Sequence, residues 1–391
     1  MITRDKREKK VKARITSRYR KERVFKTMSM LAIAFAILFL LFFFYDIISK
    51  GYTAFVQAEV LVDVTFNEKT VEMPANAVDD ELFGVVSRGY LRLIPREVKE
   101  NPELMGTTTR KWVLADAEVD QYLKGKPNRL RDKQKRLIDR LAEQGRVELK
   151  FNSGFFTHGD SKLPELAGIK AAAIGTLYVL FLTMLFSFPI GVLTAIYLEE
   201  FAPDNRFTQT IEVNINNLAA IPSILFGLLG LAIFINFFKV PRSSALAGGL
   251  TLALMTLPII IISTRAALRA VPDSIREAAR GIGASPWQVV WHHVLPLSMP
   301  GILTGSIIGL AQAMGETAPL LIIGMMAYIP EAPDGFTEAA TVLPAQIYTW
   351  SGASLRAYVE RTAAGIIVLL AVLLSLNALA IFLRNKFERR W

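Results

Sequence analysis

The chain has no cysteine among its 391 residues, which excludes disulfide frameworks, thiolate nucleophiles and Cys-ligated zinc. Its only histidines are His158, His292 and His293, too few and too scattered for a His-rich metal site. No Ser/His/Asp arrangement has catalytic spacing. No G-x-x-x-x-G-K-[ST] phosphate loop occurs either; the nearest approach, Gly125-Lys126-Pro127, lacks the first glycine. The chain is therefore expected not to be an enzyme and to bind no cofactor of its own. Charge is missing from whole stretches: residues 28–45, 171–198, 213–238, 243–264 and 362–383 hold no Asp, Glu, Lys or Arg. Four of these five exceed 20 residues, the length a helix needs to cross ~30 Å of hydrocarbon. That excludes a soluble single-domain enzyme.

The formal net charge of +10 is concentrated at one end. Residues 1–27 carry twelve Lys or Arg and three Asp or Glu, whereas residues 49–167 carry nineteen of each sign. A basic tail against an apolar run reads as an inside-facing anchor that meets anionic lipid; nucleic acid is the alternative partner, and the expectation is none. The run Met28–Tyr45 is longer than a signal-peptide core and no small-x-small cleavage site follows it, so it reads as a transmembrane helix over 28–48.

Five more spans are expected, at about 171–198, 217–238, 243–264, 300–324 and 362–383. Six spans place both termini on the cytoplasmic side. The short loops agree: Arg265, Arg269, Arg276 and Arg280 lie in the 265–300 connection, and the tail at 385–391 is basic. Residues 49–168 form an extracytoplasmic domain in this scheme. There Ala58, Val60, Val62, Val64 and Phe66 alternate with more polar residues, as do Val147, Leu149 and Phe151, predicting strands. Arg129–Gln144 reads as an amphipathic helix closed by Gly145. The expectation is a small α+β domain that is either a docking or gating surface or a spacer.

The segment from Ser274 to Pro296 carries the strongest pattern. Ser274 and Glu277 have capping-box spacing, Gly281 and Gly283 permit a tight turn, Ser285 and Pro286 can open a second helix, and Leu295-Pro296 can end it. A DNA-reading helix-turn-helix needs a free second helix, and here both ends are tethered to spans. A structural re-entrant loop and an element that docks into another protein remain.

The pattern Glu277-Ala278-Ala279, then Gly283, then Leu295-Pro296 resembles the EAA loop of ABC importer permeases. The family often has an aliphatic residue where His293 stands. Ala195–Pro203, Asn217–Leu228 and Gly315-Glu316-Thr317-Ala318-Pro319-Leu320-Leu321 resemble the phosphate-type members, their A-type subunit more than its C-type partner. The likeness covers about 169–384. It implies an all-α polytopic membrane protein, with a five-helix type I (MetI-like) permease core at 169–384, one added N-terminal helix and the α+β insert. It also implies a bacterial inner-membrane location and a coupling loop at 265–300 that fits a cleft on an ATPase. The implied partners are a homologous permease, an ABC ATPase dimer that uses ATP and Mg, and a periplasmic phosphate-binding protein. The implied function is phosphate import, with sulfate or molybdate as the alternative oxyanion and a membrane sensor or scaffold as the remaining reading.

Glu316 interrupts an apolar run, and a carboxylate at membrane depth costs several kcal/mol. Gly315 before it and Pro319 after it, with Thr317 between, point to a broken helix. Glu316 then belongs to the translocation path, or it is satisfied by neighbouring helix ends. The family often has a basic residue where Gln312 stands, so Arg265 is the candidate in-chain cation for Glu316. Gly301, Gly305 and Gly309 recur every four residues and predict close helix packing, either within the chain or against the partner permease.

Overall fold

The computed structural model describes residues 4–387; residues 1–3 and 388–391, which include Arg389 and Arg390 of the expected basic tail, lie outside the described residues. The chain divides into two units, residues 1–50 and 51–391. The first is essentially one helix, α1 (Arg4–Gly51), which runs unbroken from the basic segment through the apolar one. Phe35, Leu38, Phe39, Leu41 and Phe42 are all exposed along it, so apolar side chains point outward on every face. A helix that is hydrophobic all round is suited to lipid rather than water.

The second unit begins with the α+β segment. Strand β1 (Val56–Thr65) is followed by α2 (Arg88–Glu100), β2 (Thr108–Leu114), α3 (Ala117–Leu123), α4 (Asp132–Glu143) and β3 (Val147–Phe151). The strands form an antiparallel sheet in the order β2-β1-β3, with Val60 opposite both Val113 and Val147. The predicted alternation holds: Ala58, Val60, Val62, Val64 and Phe66 are fully buried, and α2 and α4 add Ile94 and Ile138 to the same core. The amphipathic helix is there, three residues shorter at its start than expected, and Gly145 closes it with φ +66°.

The helical core comprises α5 (Lys170–Ile196), α6 (Arg206–Ala219), α7 (Ser223–Gly230), α8 (Ala245–Arg269), α9 (Asp273–Gly281), α10 (Pro286–Val289), α11 (Leu295–Gly315), α12 (Ala318–Ile322), α13 (Leu343–Ser351) and α14 (Ala357–Phe387). Among the described residues, five helical rods are long and apolar enough to cross a membrane: 14–55, 170–201, 245–269, 286–315 and 357–386. The expected straight span at 217–238 is corrected. Residues 206–219 and 223–237 are separate helices bent by 105°, and a sixth span exists only if the bent pair counts as one. The reason is Pro222, which pushes the residue before it out of the helical region, while Ala220 and Ile221 close the preceding helix in a turn.

Helix α8 is the centre of this core. It packs on α5 on one side and α11 on the other. Small residues set the spacing: a Cβ on Gly249 would stand 2.5 Å from Leu182 Cβ, and one on Gly191 would stand 2.7 Å from Ile260 Cγ2. The predicted Gly301, Gly305 and Gly309 face also points at α8. A Cβ on Gly301 would meet Ala267 at 2.6 Å and one on Gly305 would meet Ser263 Oγ at 2.0 Å, so that face serves packing within the chain.

The α+β segment is joined to the core along a buried polar seam. Asp160 Oδ1 accepts from Trp350 Nε1 at 2.8 Å, and Glu165 Oε1 accepts from Ser87 Oγ at 2.7 Å. Lys124 Nζ lies 2.6 Å from Asp120 Oδ2 and 3.1 Å from Glu360 Oε1 in the first turn of α14, and Gln121 donates to the same carboxylate. Arg361 lies over the Phe155 ring at 5.6 Å. Burial pushes the carboxyls of Asp160 and Glu165 above the usual carboxylate range, against the lowering effect of the hydrogen bonds each accepts.

Candidate functional site

The 265–300 connection folds as two helical pieces about a glycine turn. Helix α9 starts two residues earlier than the Ser274 capping-box reading: Pro272 is its N-cap, Asp273 its first residue, and no side chain caps it. Proline supplies a suitable φ, and the acidic Asp273 sits where the helix dipole favours negative charge. Gly281 is the last helical residue, and Gly283, at φ +90°, makes the turn. The second piece opens as expected. Ser285 Oγ accepts from Gln288 N, Gln288 Oε1 accepts from Ser285 N at 2.9 Å, and Pro286 stands in the first turn.

Leu295-Pro296 does not end that piece. After α10 the chain makes one π turn, Val290–Val294, and enters α11 directly, so 286–315 is a single rod. Pro296 stands in the first turn of α11, immediately after the π turn, and Pro300 lies inside the helix.

One side of the loop is anchored and the other is free. Ala279, Val289, Val290 and Val294 are buried against Ile196, Leu268 and Val271. Glu277, Ala278, Arg280, Ile282, Gly283, Trp287 and Trp291 are exposed, with Ile282 at 83%. The Trp287 and Trp291 rings stack at 5.5 Å, and Phe201 extends the row at 6.5 Å from Trp287. An acidic residue, small helix positions and a run of exposed aromatics form a protrusion of the kind that fills a pocket on another protein.

Ion pairs set the pose of that protrusion. Arg276 Nη2 donates to Glu200 Oε1 at 2.7 Å and to the Leu268 carbonyl at 2.9 Å, while its Nη1 donates to the Val271 carbonyl at 2.7 Å. Arg269 Nε donates to Glu199 Oε1 at 2.7 Å. Arg265 Nε donates to Glu199 Oε2 at 3.1 Å, and its Nη2 donates to Glu212 Oε1 at 2.6 Å. Glu199 and Glu200 lie in the π turn that follows α5. The expected pairing of Arg265 with Glu316 is thereby corrected: Arg265 is committed to two other carboxylates. These carboxylates were given no role in the sequence reading. The available signal was a Glu-Glu pair at the end of one charge-free stretch and four arginines in the next connection.

The helix break at Glu316 is present. Helix α11 ends at Gly315, Glu316 is extended at φ −76° and ψ 123°, and Thr317 leads into α12, whose Pro319 is buried. Gly227 of α7 backs onto Pro319, with 2.7 Å from its would-be Cβ to Pro319 Cα. The pieces that follow the two broken helices therefore pack together. Glu316 is half-buried, Gln312 is exposed, and among the described residues no cation lies within ion-pair distance of Glu316. Glu277 and Gly283 are brought together with Trp287 in the loop; Glu316, Gly315, Thr317 and Pro319 form a second locus at the other end of α11.

Comparison with known proteins separates the N-terminal third of the chain from the helical core. Residues 187–391 match the family described as binding-protein-dependent transport system inner membrane component, and residues 12–81 and 73–132 match a domain of unknown function (DUF3333). The chain is 31% identical to the phosphate transport system permease protein PstA 1 of Mycobacterium tuberculosis, over 61% of this chain and 78% of that one. It is 32% identical to the phosphate transport system permease protein PstC of Pasteurella multocida, over 61% of this chain and 83% of that one. A probable ABC transporter permease protein of Bacillus subtilis, YqgI, is 34% identical over 43% of this chain and 56% of its own length, so the chain spans little more than half of that relative.

Proposed function

Because the chain belongs to the family of binding-protein-dependent transport system inner membrane components, we propose that it is the A-type permease subunit of an ABC importer that brings inorganic phosphate into the bacterial cytoplasm. The observation that carries this is the loop of 273–294, anchored on one face, with Glu277, Ala278 and Trp287 free on the other. The chain is a membrane subunit and not itself an enzyme. ATP and Mg act on a partner ATPase dimer that receives the loop; a homologous permease completes the path, and a periplasmic binding protein delivers the anion.

In this reading 1–27 and 385–391 are cytoplasmic, 28–48 is the added transmembrane helix, and 169–384 is the permease core of type I architecture. The α+β domain of 49–168 is periplasmic. The supporting geometry is α5: its first residue, Lys170, adjoins that domain, while its far end carries Glu199 and Glu200 against the coupling loop. Twenty-seven residues separate the two ends by ~40 Å, the thickness of a bilayer with its headgroups. Closure of the ATPase dimer on ATP draws two coupling loops together and opens the spans outward; hydrolysis resets them.

Glu316, Gly315, Thr317, Pro319 and Gln312 sit on the translocation path, where backbone freed by the helix break lines a cavity. Glu316 repels phosphate by itself, so its role is to hold a cation supplied by the partner permease. Arg265 instead belongs to the loop's support.

The test is radiolabelled phosphate uptake in a strain without its own high-affinity system, rebuilt with this chain and its neighbouring subunits. Uptake competed by unlabelled phosphate but not by sulfate or molybdate, and lost in Glu277→Lys, is the expected result. Energy-dependent uptake competed by sulfate would reassign the substrate, and no uptake by a complete complex would refute the importer reading.

A further inference from the structure

The α+β domain is neutral in sum, yet its charges are sorted. Residues 124–146 hold nine Lys or Arg against three Asp or Glu, and the rest of 49–167 holds ten against sixteen. Much of this excess lies on α4, which forms one wall of a groove of ≈ 600 Å³; the opposite wall is the Asp80–Gly84 turn. Lys133, Arg136 and Arg140 recur at three- and four-residue spacing and so share one face, and Arg131 precedes them at the N-cap. All four are exposed, and among the described residues none has a carboxylate within ion-pair distance.

Several other cations of the domain are paired: Lys111 with Glu97, Lys150 with Glu59 at 2.7 Å, Lys124 with Asp120. Four like charges within about three turns repel one another, and an anionic partner set against α4 relieves that repulsion. The far wall limits what that partner can be. Asp80 and Glu81 face the same groove and disfavour a small oxyanion, which would meet both walls at once. A folded surface that presents carboxylates to α4 and neutral or basic groups to the turn satisfies both.

Resting on the importer reading, we propose that this groove is the docking site for an acidic face of the soluble binding protein on which transport by this family depends. The groove lies in the domain at the Lys170 end of α5, away from the coupling loop, which is where a periplasmic carrier arrives. The domain is also coupled to the core. The chain entering α4 is pinned through Lys124 and Asp120 to Glu360 in α14, with Lys124 and Glu360 only 2% and 4% exposed, so a load on α4 passes into the last span. Exposed arginines on a fixed helix chiefly set encounter rate and partner choice.

The test uses the assembled transporter, with partner permease and ATPase, in phosphatidylcholine nanodiscs. Association of the binding protein and its stimulation of ATP hydrolysis are measured for the unaltered chain, for R136E/R140E and for the charge-preserving R136K/R140K. We expect R136E/R140E to slow association about tenfold at about 50 mM salt, with the gap closing near 0.5 M, and R136K/R140K to behave as the unaltered chain. ATP hydrolysis by the unaltered complex that ignores the binding protein would overturn the importer reading. Stimulation of the unaltered complex with unchanged association by R136E/R140E would overturn the docking site alone. So would a loss of equal size at both salts, the mark of a misfolded domain, or an effect seen only when phosphatidylglycerol replaces the neutral lipid, which would make the occupant a membrane surface.

Discussion

Replacing Arg276 by methionine keeps most of the side-chain volume and removes the charge that fixes the 273–294 loop. The residue is 12% exposed and its partner Glu200 only 7%. The change leaves Glu200 without its guanidinium and frees the carbonyls of Leu268 and Val271. Removing one partner of a buried pair costs about 3–5 kcal/mol, chiefly through the uncompensated charge that remains. Glu200 lies near the edge of the loop and water can reach it once the arginine has gone, so the lower end, about 3 kcal/mol, applies. Expressed as local opening, that is about a hundredfold faster amide exchange over 271–282, because each 1.4 kcal/mol is tenfold. The assay is hydrogen exchange on the transporter in nanodiscs, with phosphate uptake and ATP hydrolysis measured in parallel. Uptake should fall while basal hydrolysis persists. The double variant Arg276→Met/Glu200→Met removes the stranded charge and should recover at least half of the lost protection. Exchange that changes by less than about threefold, or a double variant no better than the single, would refute the claim that this pair holds the loop.

Three further expectations concern separate features. Gly305→Ala drives a methyl into Ser263, whose Oγ and Cβ stand 2.0 and 2.2 Å from it, and should cost about 1–3 kcal/mol in detergent unfolding; Gly309→Ala, whose nearest neighbour is 3.8 Å away, should not lower stability. Gly283→Ala at φ +90° should lose about 1–2 kcal/mol and reduce ATPase retention on affinity capture, whereas Gly281→Ala in the helix end should retain it. Asp160 and Glu165 are held above their ordinary values of 3.8 and 4.5, so the folded chain binds their protons more tightly than the unfolded one. Their contribution to stability is greatest below those ordinary values and is lost as pH rises through the raised ones. Glu165→Gln should therefore flatten the rise in thermal midpoint as pH falls toward 4.5; a midpoint that rises as steeply in the variant would refute the assignment.

The parts legible in the sequence were those governed by local periodicity or by a single residue's conformation. The alternation from Ala58 to Phe66 fixed a buried strand face, Gly283 and Ser285 fixed the loop's turn and restart, and Gly315 with Pro319 located the break at Glu316. What was missed depends on pairing across the chain. Arg265 meets Glu199 and Glu212 from 66 and 53 residues away, a distance no spacing rule spans. The broken segment at 206–237 was missed for a different reason. Reading 217–238 as a span from its lack of charge takes no account of Pro222, although its ring decides the backbone there. Leu295-Pro296 misled in the opposite sense, because a π turn before it let the helix run on.

That continuous rod has a mechanical consequence. From Pro286 to Gly315 the second piece of the loop and the helix behind it form one continuous rod, whose far end stops one residue short of Glu316. The other arm of the loop is riveted by Arg276 to the end of the neighbouring helix. Trp287 and the carboxylate thus stand near opposite ends of one rod, 29 residues and about 43 Å of helix apart, and bending between them is confined to the π turn at Val290–Val294 and the prolines at 296 and 300.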